Sequence, residues 1–351
     1  MTQAQGSTLG ADFAGRIEVR LSTHAGQVSG VDINNTRPRG VAKVFAGRTP
    51  DETLSMLGRV FSLCATAQTI AGLEAMEMAC AVSVPEPQRA ARSILREAEM
   101  LTQTVLRVCM DWPRLLGAAP AAWVARLALS TQVALEADLF GGQDWKVVGG
   151  ALMRPDGTAA RSRLSVLHGA LKDILSADGF ADQLLAALDA RGLNGFGALA
   201  DDAELETGAL SRHWNDMHVV AARGAFGAGL RARLLARFAD MRDLPASLLV
   251  TMENLGPCEG GFEPAHVNGE GKATVETARG ALTHTVSVKD GKISAYTIYA
   301  PTDLNFLNDG VVAMGLMGAK CADLEALNTA AELHVLAVDP CVSCTLEIRD
   351  A

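Results

Sequence analysis

The sequence predicts an α+β fold: a central helical bundle with N- and C-terminal β-hairpin regions packed on it. Three observations predict it. Residues 16–33 alternate apolar and polar side chains around a turn, the middle of the chain repeats apolar residues every three or four positions, and residues 282–299 alternate again around an Asp-Gly step. On this reading 1–50 form an N-terminal β-hairpin region, 51–247 a helical core, and 248–351 a C-terminal α+β region that returns to the core and carries a cysteine motif.

Each element has a local reason. Ile17, Val19 and Leu21 share one face of the first strand, and His24-Ala25-Gly26-Gln27 turns the chain into a second strand at 28–33. Thr49-Pro50-Asp51-Glu52 starts a helix, with Pro in the first turn and two acids at the positive end of the helix dipole. Helical character continues to about residue 240; Leu164, Leu167, Leu171 and Ile174, for example, recur at spacings of three and four. Breaks are expected at Pro85-Glu86-Pro87, Gly141-Gly142, Gly149-Gly150 and 192–197. Beyond 248, residues 256–271 read as a loop, and Lys289-Asp290-Gly291-Lys292 joins strands at 282–288 and 293–299, Asp-Gly supplying the positive φ of a tight hairpin. A last helix at 321–333 and a short strand at 334–338 precede the end. No repeat or low-complexity linker separates independent domains.

Composition excludes whole classes of partner. With 31 Lys+Arg against 40 Asp+Glu, the net charge of −9 lacks the basic footprint that binds phosphate, so neither nucleic acid nor membrane is an expected partner. An apolar fraction of 49% and a charged fraction of 20% predict a folded chain, not a disordered one. The least charged long stretch, 60–73, falls short of the ~20 apolar residues of a spanning helix and reads as a buried one. Residues 1–15 have neither a basic leader nor a hydrophobic core of signal type, so a cytoplasmic location is expected. Seven cysteines, an odd number spread unevenly through a long chain, point to reduced thiols.

One local motif suggests chemistry: Asp339-Pro340-Cys341-Val342-Ser343-Cys344. A tight turn points two thiolates three residues apart toward one centre, which suits a metal; equally, free cysteines are among the most buried residue types. The pair alone leaves both readings open.

Four further stretches make the pattern specific. Arg59-Val60-Phe61-Ser62-Leu63-Cys64-Ala65-Thr66-Ala67-Gln68-Thr69-Ile70-Ala71 resembles the first cysteine motif of nickel-iron hydrogenase large subunits, Arg-x-Cys-Gly-x-Cys-x-x-x-His-x-x-Ala. The C-terminal pair resembles the second, Asp-Pro-Cys-x-x-Cys-x-x-His. Ala278-Arg279-Gly280 is similar to the family's Pro-Arg-Gly segment, Ala300-Pro301-Thr302-Asp303-Leu304-Asn305 to its Val-Pro-Thr/Ser-x-x-Asn segment, and Arg39-Gly40 to its Arg-Gly-x-Glu. The matches follow the family's order along the chain.

The resemblance implies a nickel-iron hydrogenase large-subunit-like fold, and the departures imply what is lost. In the family the second cysteine of each pair bridges nickel and iron, and the first binds nickel alone. Phe61 stands where one nickel-only cysteine is expected, Gln68 replaces the motif histidine, Ala42 the glutamate and Glu347 the last histidine. Cys64, Cys341 and Cys344 remain as candidate metal ligands, Cys64 and Cys344 at the bridging positions and Cys341 as a third sulfur or proton acceptor. The chain ends without the removable extension of hydrogenase precursors, so the processing that follows nickel insertion is expected to have no substrate in it. Arg279 is expected to face one cyanide of an Fe(CN)2CO group, Thr302 to donate to the other, and Pro301 to shape an apolar wall around the carbonyl. No catalytic residue and no nickel are expected.

This combination resembles the HupK/HoxV type of hydrogenase expression/formation protein. It implies a transient carrier for Fe(CN)2CO, with iron-delivering maturation proteins and a hydrogenase large subunit as partners. A divergent active hydrogenase and a cofactor-free structural relative are the alternatives. Simpler readings stand beside several residues: a buried ion pair for Arg279, a turn hydroxyl for Thr302, a structural or supporting role for His284, and core thiols for Cys80, Cys109, Cys258 and Cys321. His213 and His218 lack a metal-ligand spacing.

Overall fold

The helical body begins where Thr49 caps the first helix, α1 (Pro50–Val60): its hydroxyl accepts from the Glu52 amide while the Glu52 carboxylate accepts from the Thr49 amide. This capping box answers two amides otherwise left without partners. The computed structural model describes residues 15–37, 40–142, 145–150, 157–199, 206–256 and 268–350.

After a short 3-10 turn, Ser62–Cys64, the chain enters α2 (Ala65–Ala79), buried along most of its length, and then α3 (Glu86–Leu106). A π-turn, Arg107–Asp111, links α3 to α4 (Trp112–Leu116). There follow α5 (Ala122–Phe140), α6 (Thr158–Ile174), α7 (Phe180–Ala190), α8 (Ala209–Arg212), α9 (Met217–Phe226) and α10 (Leu230–Glu253). Leu164, Leu167, Leu171 and Ile174 are all buried, so the spacing of three and four does mark the core face of α6. The longest helix, α10, runs across residue 247, so helix and not linker joins the middle of the chain to its last third.

Among the described residues, two three-stranded sheets pack on this body. The first has the order β2-β1-β6, with β1 (Arg16–His24), β2 (Gln27–Asn35) and β6 (Ser343–Asp350). Strand β6 runs parallel to β1, Ile17 opposite Cys344 and Leu21 opposite Ile348. The second is a meander, β3 (Gly269–Thr277), β4 (Gly280–Lys289) and β5 (Lys292–Tyr299), lying against α2. Its hairpin turns at Asp290 and Gly291, both at positive φ. Three helices complete the chain: α11 (Pro301–Asn305), α12 (Val311–Leu316) and α13 (Leu324–Val338).

Two expectations need correction. Residues 334–338 are the last turns of α13, not a strand. Leu327, Ala330, Ala331, His334, Val335 and Val338 are all buried at helical spacing, and this packing overrides the β preference of the valines. The strand lies after the cysteine motif, as β6. Likewise, residues 269–271 open strand β3; the glycines allow close approach to α2, since a Cβ at Gly271 would stand 1.9 Å from the Ala75 carbonyl oxygen.

Among the described residues the core falls into a large cluster under the helices and β3–β5, a smaller one between the β2-β1-β6 sheet and α12–α13, where Ile17, Val19 and Leu21 are fully buried, and a third, mostly of alanines, where α8, α9 and α10 meet. Among the described residues no helix is long and apolar enough to cross a membrane.

Candidate functional site

Cys64 owes its position to a cap supplied from elsewhere. It occupies the N-cap of α2 without using its side chain; instead Glu99 of α3 accepts the Thr66 and Ala67 amides at 2.8 and 3.0 Å. The helix start is thereby satisfied and the thiol left for other use. Burial pushes the Cys64 thiol up to about 12, neighbouring Cys341 adds to the rise, and Arg279 and the Gln68 amide, which donates to the sulfur at 3.7 Å, pull the other way. Phe61 ends α1 one turn earlier, partly buried against the main core.

The second cysteine segment arrives by a sharp stop. Asp339 follows α13 with φ 65, in the left-handed region that Asp tolerates, and Pro340 prevents the helix from resuming. The Cys341 amide then donates to the hydroxyl of Thr302, 3.3 Å away at the start of α11, where Pro301 is buried at the first position. A cleft of about 1220 Å³ is lined by Phe61, Cys64, Tyr296, Ala300 and Cys341. Cys64 and Cys341 therefore line one cleft, close enough for each to act on the other's charge. Cys344 does not line it: the side chain lies on the β6 face that packs on the smaller core, and burial pushes its thiol up to about 12. Among the described residues, no three His, Cys, Asp or Glu side chains form a ready metal cage.

Asp339 also organises the cations. It accepts from Arg107 Nε at 2.8 Å, lies 3.5 Å from Arg279 Nη2 and 3.7 Å from Arg237 Nη2. Burial pushes its carboxyl up, but Arg279, Arg107 and Arg237 together outweigh this and hold it below the ordinary value. Arg279 is buried, and Gln103 of α3 accepts from its Nη1 while donating to the Leu63 carbonyl. Among the described residues its Nε–H has no partner, so the ion pair and a buried donor without one coexist on one side chain. The Thr302 hydroxyl, accepting from Cys341, keeps its own proton to donate.

Of the other residues singled out by sequence, His284 is fully buried in the second sheet, Ala42 is buried, and Cys80 and Cys109 are core thiols. Cys321 is half-buried; Arg39 and Cys258 lie outside the described residues. His213 pairs with Asp240 at 2.9 Å and His218 is exposed, so they serve no common centre. Sequence reasoning missed Glu99, Gln103, Arg107 and Arg237. The one available signal was their type: polar residues on the apolar periodicity of long helices, where an unpaired charge would be costly.

Fold and site together define a class. The architecture is that of a nickel-iron hydrogenase large subunit: the [NiFeSe] hydrogenase of Desulfovibrio vulgaris Hildenborough in the reduced state matches with a TM-score of 0.73 at 17% identity, covering 91% of this chain and 94% of that one. The reduced, active enzyme of Desulfomicrobium baculatum gives 0.69 at 16% identity. Residues 252–347 match the nickel-dependent hydrogenase family. Within that architecture, similarity over nearly the whole chain is to maturation-named proteins. The hydrogenase expression/formation protein HupK of Rhizobium leguminosarum bv. viciae is 29% identical, over 96% of this chain and 98% of its own length. HoxV of Cupriavidus necator is 26% identical, over 95% and 96%. The chain thus resembles the HupK/HoxV type along its length.

Proposed function

We propose that this protein acts in hydrogenase maturation as a non-catalytic scaffold that holds an Fe(CN)2CO group on its way to a hydrogenase large subunit. The observation that carries the reading is a buried thiol, Cys64, lining one cleft with Cys341, while nearby Arg279 has an Nε–H without a partner among the described residues. Two thiolates, two cyanides and ferrous iron make an anionic group, and burying it calls for fixed donors. Arg279 supplies a guanidinium to one cyanide nitrogen and Thr302 a hydroxyl to the other. Such charge-assisted contacts are stronger than neutral ones. Pro301 and Ala300, both buried, give the carbonyl an apolar neighbour.

In this reading Cys64 and Cys344 hold the iron, which requires the Cys344 side chain to turn from the smaller core toward the cleft that Cys64 and Cys341 already line, and Cys341 is the third sulfur during exchange. Phe61 in place of a nickel-only cysteine supports a site that takes iron without nickel and does not turn over hydrogen. Partners are the proteins that deliver iron and the large subunit that receives it.

Anaerobic co-purification with the maturation proteins, followed by infrared spectroscopy, tests it. Cyanide and carbonyl bands are expected in the wild type, lost in Cys64→Ala and Cys344→Ala, slower to appear in Cys341→Ala and unchanged in Cys109→Ala. Absence of bands in every maturation background would sink the carrier reading. Stoichiometric nickel with hydrogen-dependent dye reduction would favour a divergent hydrogenase instead.

A further inference from the structure

Cys64, Gln68 and Gly72 lie four residues apart, so α2 presents them in one stripe. The second sheet packs against that stripe. In the β4–β5 register His284 faces Ile298 and Val286 faces Tyr296, which makes His284 and Tyr296 diagonal neighbours on one face. Three contacts then run in series: Tyr296 Oη to His284 Nδ1 at 2.8 Å, His284 Nε2 to Gln68 Oε1 at 2.9 Å, and Gln68 Nε2 to Cys64 Sγ at 3.7 Å.

The direction of this chain follows from its chemistry. The Gln68 oxygen can only accept, so His284 Nε2 must carry the proton. A neutral imidazole has one N–H, so Nδ1 accepts and the Tyr296 hydroxyl donates. Burial holds His284 neutral down to about 3 and pushes Tyr296 up, so neither becomes charged near neutral pH. Every hydrogen in the series therefore points toward the sulfur. Gly72 makes room for it: a Cβ there would stand 2.7 Å from Tyr296 Oη and 3.5 Å from His284 Nδ1.

We propose that Tyr296 and His284 are positioning residues which act through Gln68 to keep a hydrogen-bond donor on the Cys64 sulfur, presenting it to the iron group as a supported thiolate. The inference rests on the carrier reading for its purpose, but its geometry stands apart from it. The opposite tautomer, Nδ1–H, would turn the Gln68 amide over and set its carbonyl oxygen against the sulfur, which accommodates a thiol and repels a thiolate. Filling a core with a satisfied histidine requires neither direction in particular.

Two measurements test it. In the metal-free, nitrogen-15-labelled protein, His284 is expected as the Nε2–H tautomer by long-range proton–nitrogen correlation; the Nδ1–H tautomer overturns the proposal. In the iron-loaded protein, Gln68→Leu and Tyr296→Phe are expected to move the carbonyl band to lower wavenumber, because a sulfur relieved of its donor pushes more electron density onto iron. Unfolding curves establish that each variant is folded, and an unmoved band in both folded variants overturns the proposal. Should the wild type take up no iron group, the carrier reading falls while the tautomer measurement still decides the direction of the chain.

Discussion

Asp339 is the residue on which most of the site's charge converges, with Arg107, Arg237 and Arg279 around it. Asp339→Asn leaves three guanidiniums facing an amide, and breaking a buried pair in this way costs about 3–5 kcal/mol. Urea unfolding at pH 7 measures it; a loss below about 1 kcal/mol, the range of exposed pairs, would show that the cluster is solvated in practice. The buried imidazoles make a separate prediction. Burial holds both His284 and His334 neutral down to about 3, Arg233 adding to the effect at His334. An unfolded histidine takes its proton near 6.5, so between those values the unfolded chain binds more protons and stability falls as pH drops from about 6.5 toward 3. Each histidine contributes about 1.4 kcal/mol per pH unit over that window. Urea midpoints at pH 7 and pH 5 check this, and a flat profile would contradict it; His334→Gln should flatten it in part. At this scale Cys64, Cys341, Arg279 and Thr302 were readable because each sits in a local motif. Glu99, Gln103, Arg107 and Arg237 were not, since they reach the site from helices whose own sequence shows only amphipathic spacing.

Elements were readable where local chemistry and packing agree. Thr49-Pro50-Asp51-Glu52 forms the capping box its residues suggest, and Asp290-Gly291 makes its hairpin. Thr49→Ala should cost about 1 kcal/mol, visible as a lower denaturation midpoint, and should loosen the start of α1, which leads to Phe61 and Cys64. No change in midpoint would mean that packing alone fixes this helix. Elements were misread where packing overrides local preference. Val335 and Val338 favour a strand by type, yet they complete a buried helical face; Gly269 and Gly271 suggest a loop by type, yet they let β3 lie close to α2. No short window of sequence contains the neighbour that decides such cases.

At the scale of the whole molecule, the first and last strands lie side by side, β6 beside β1. Ile17, fully buried opposite Cys344, anchors it. Ile17→Ala should cost about 2–5 kcal/mol and speed alkylation of Cys344 by iodoacetamide, followed by peptide mass spectrometry. An unchanged alkylation rate in a destabilised variant would separate the sheet from the cysteine segment. The parallel register has a further consequence in time. During synthesis, strand β1 emerges first and must wait for every intervening residue before its parallel partner exists, an interval of tens of seconds at ordinary elongation rates. Cys64 can fold into its helix early, but Cys341 and Cys344 join it only when translation is nearly complete. On the carrier reading, loading of the iron group would therefore follow translation, and a nascent chain stalled before β6 should be unable to accept it.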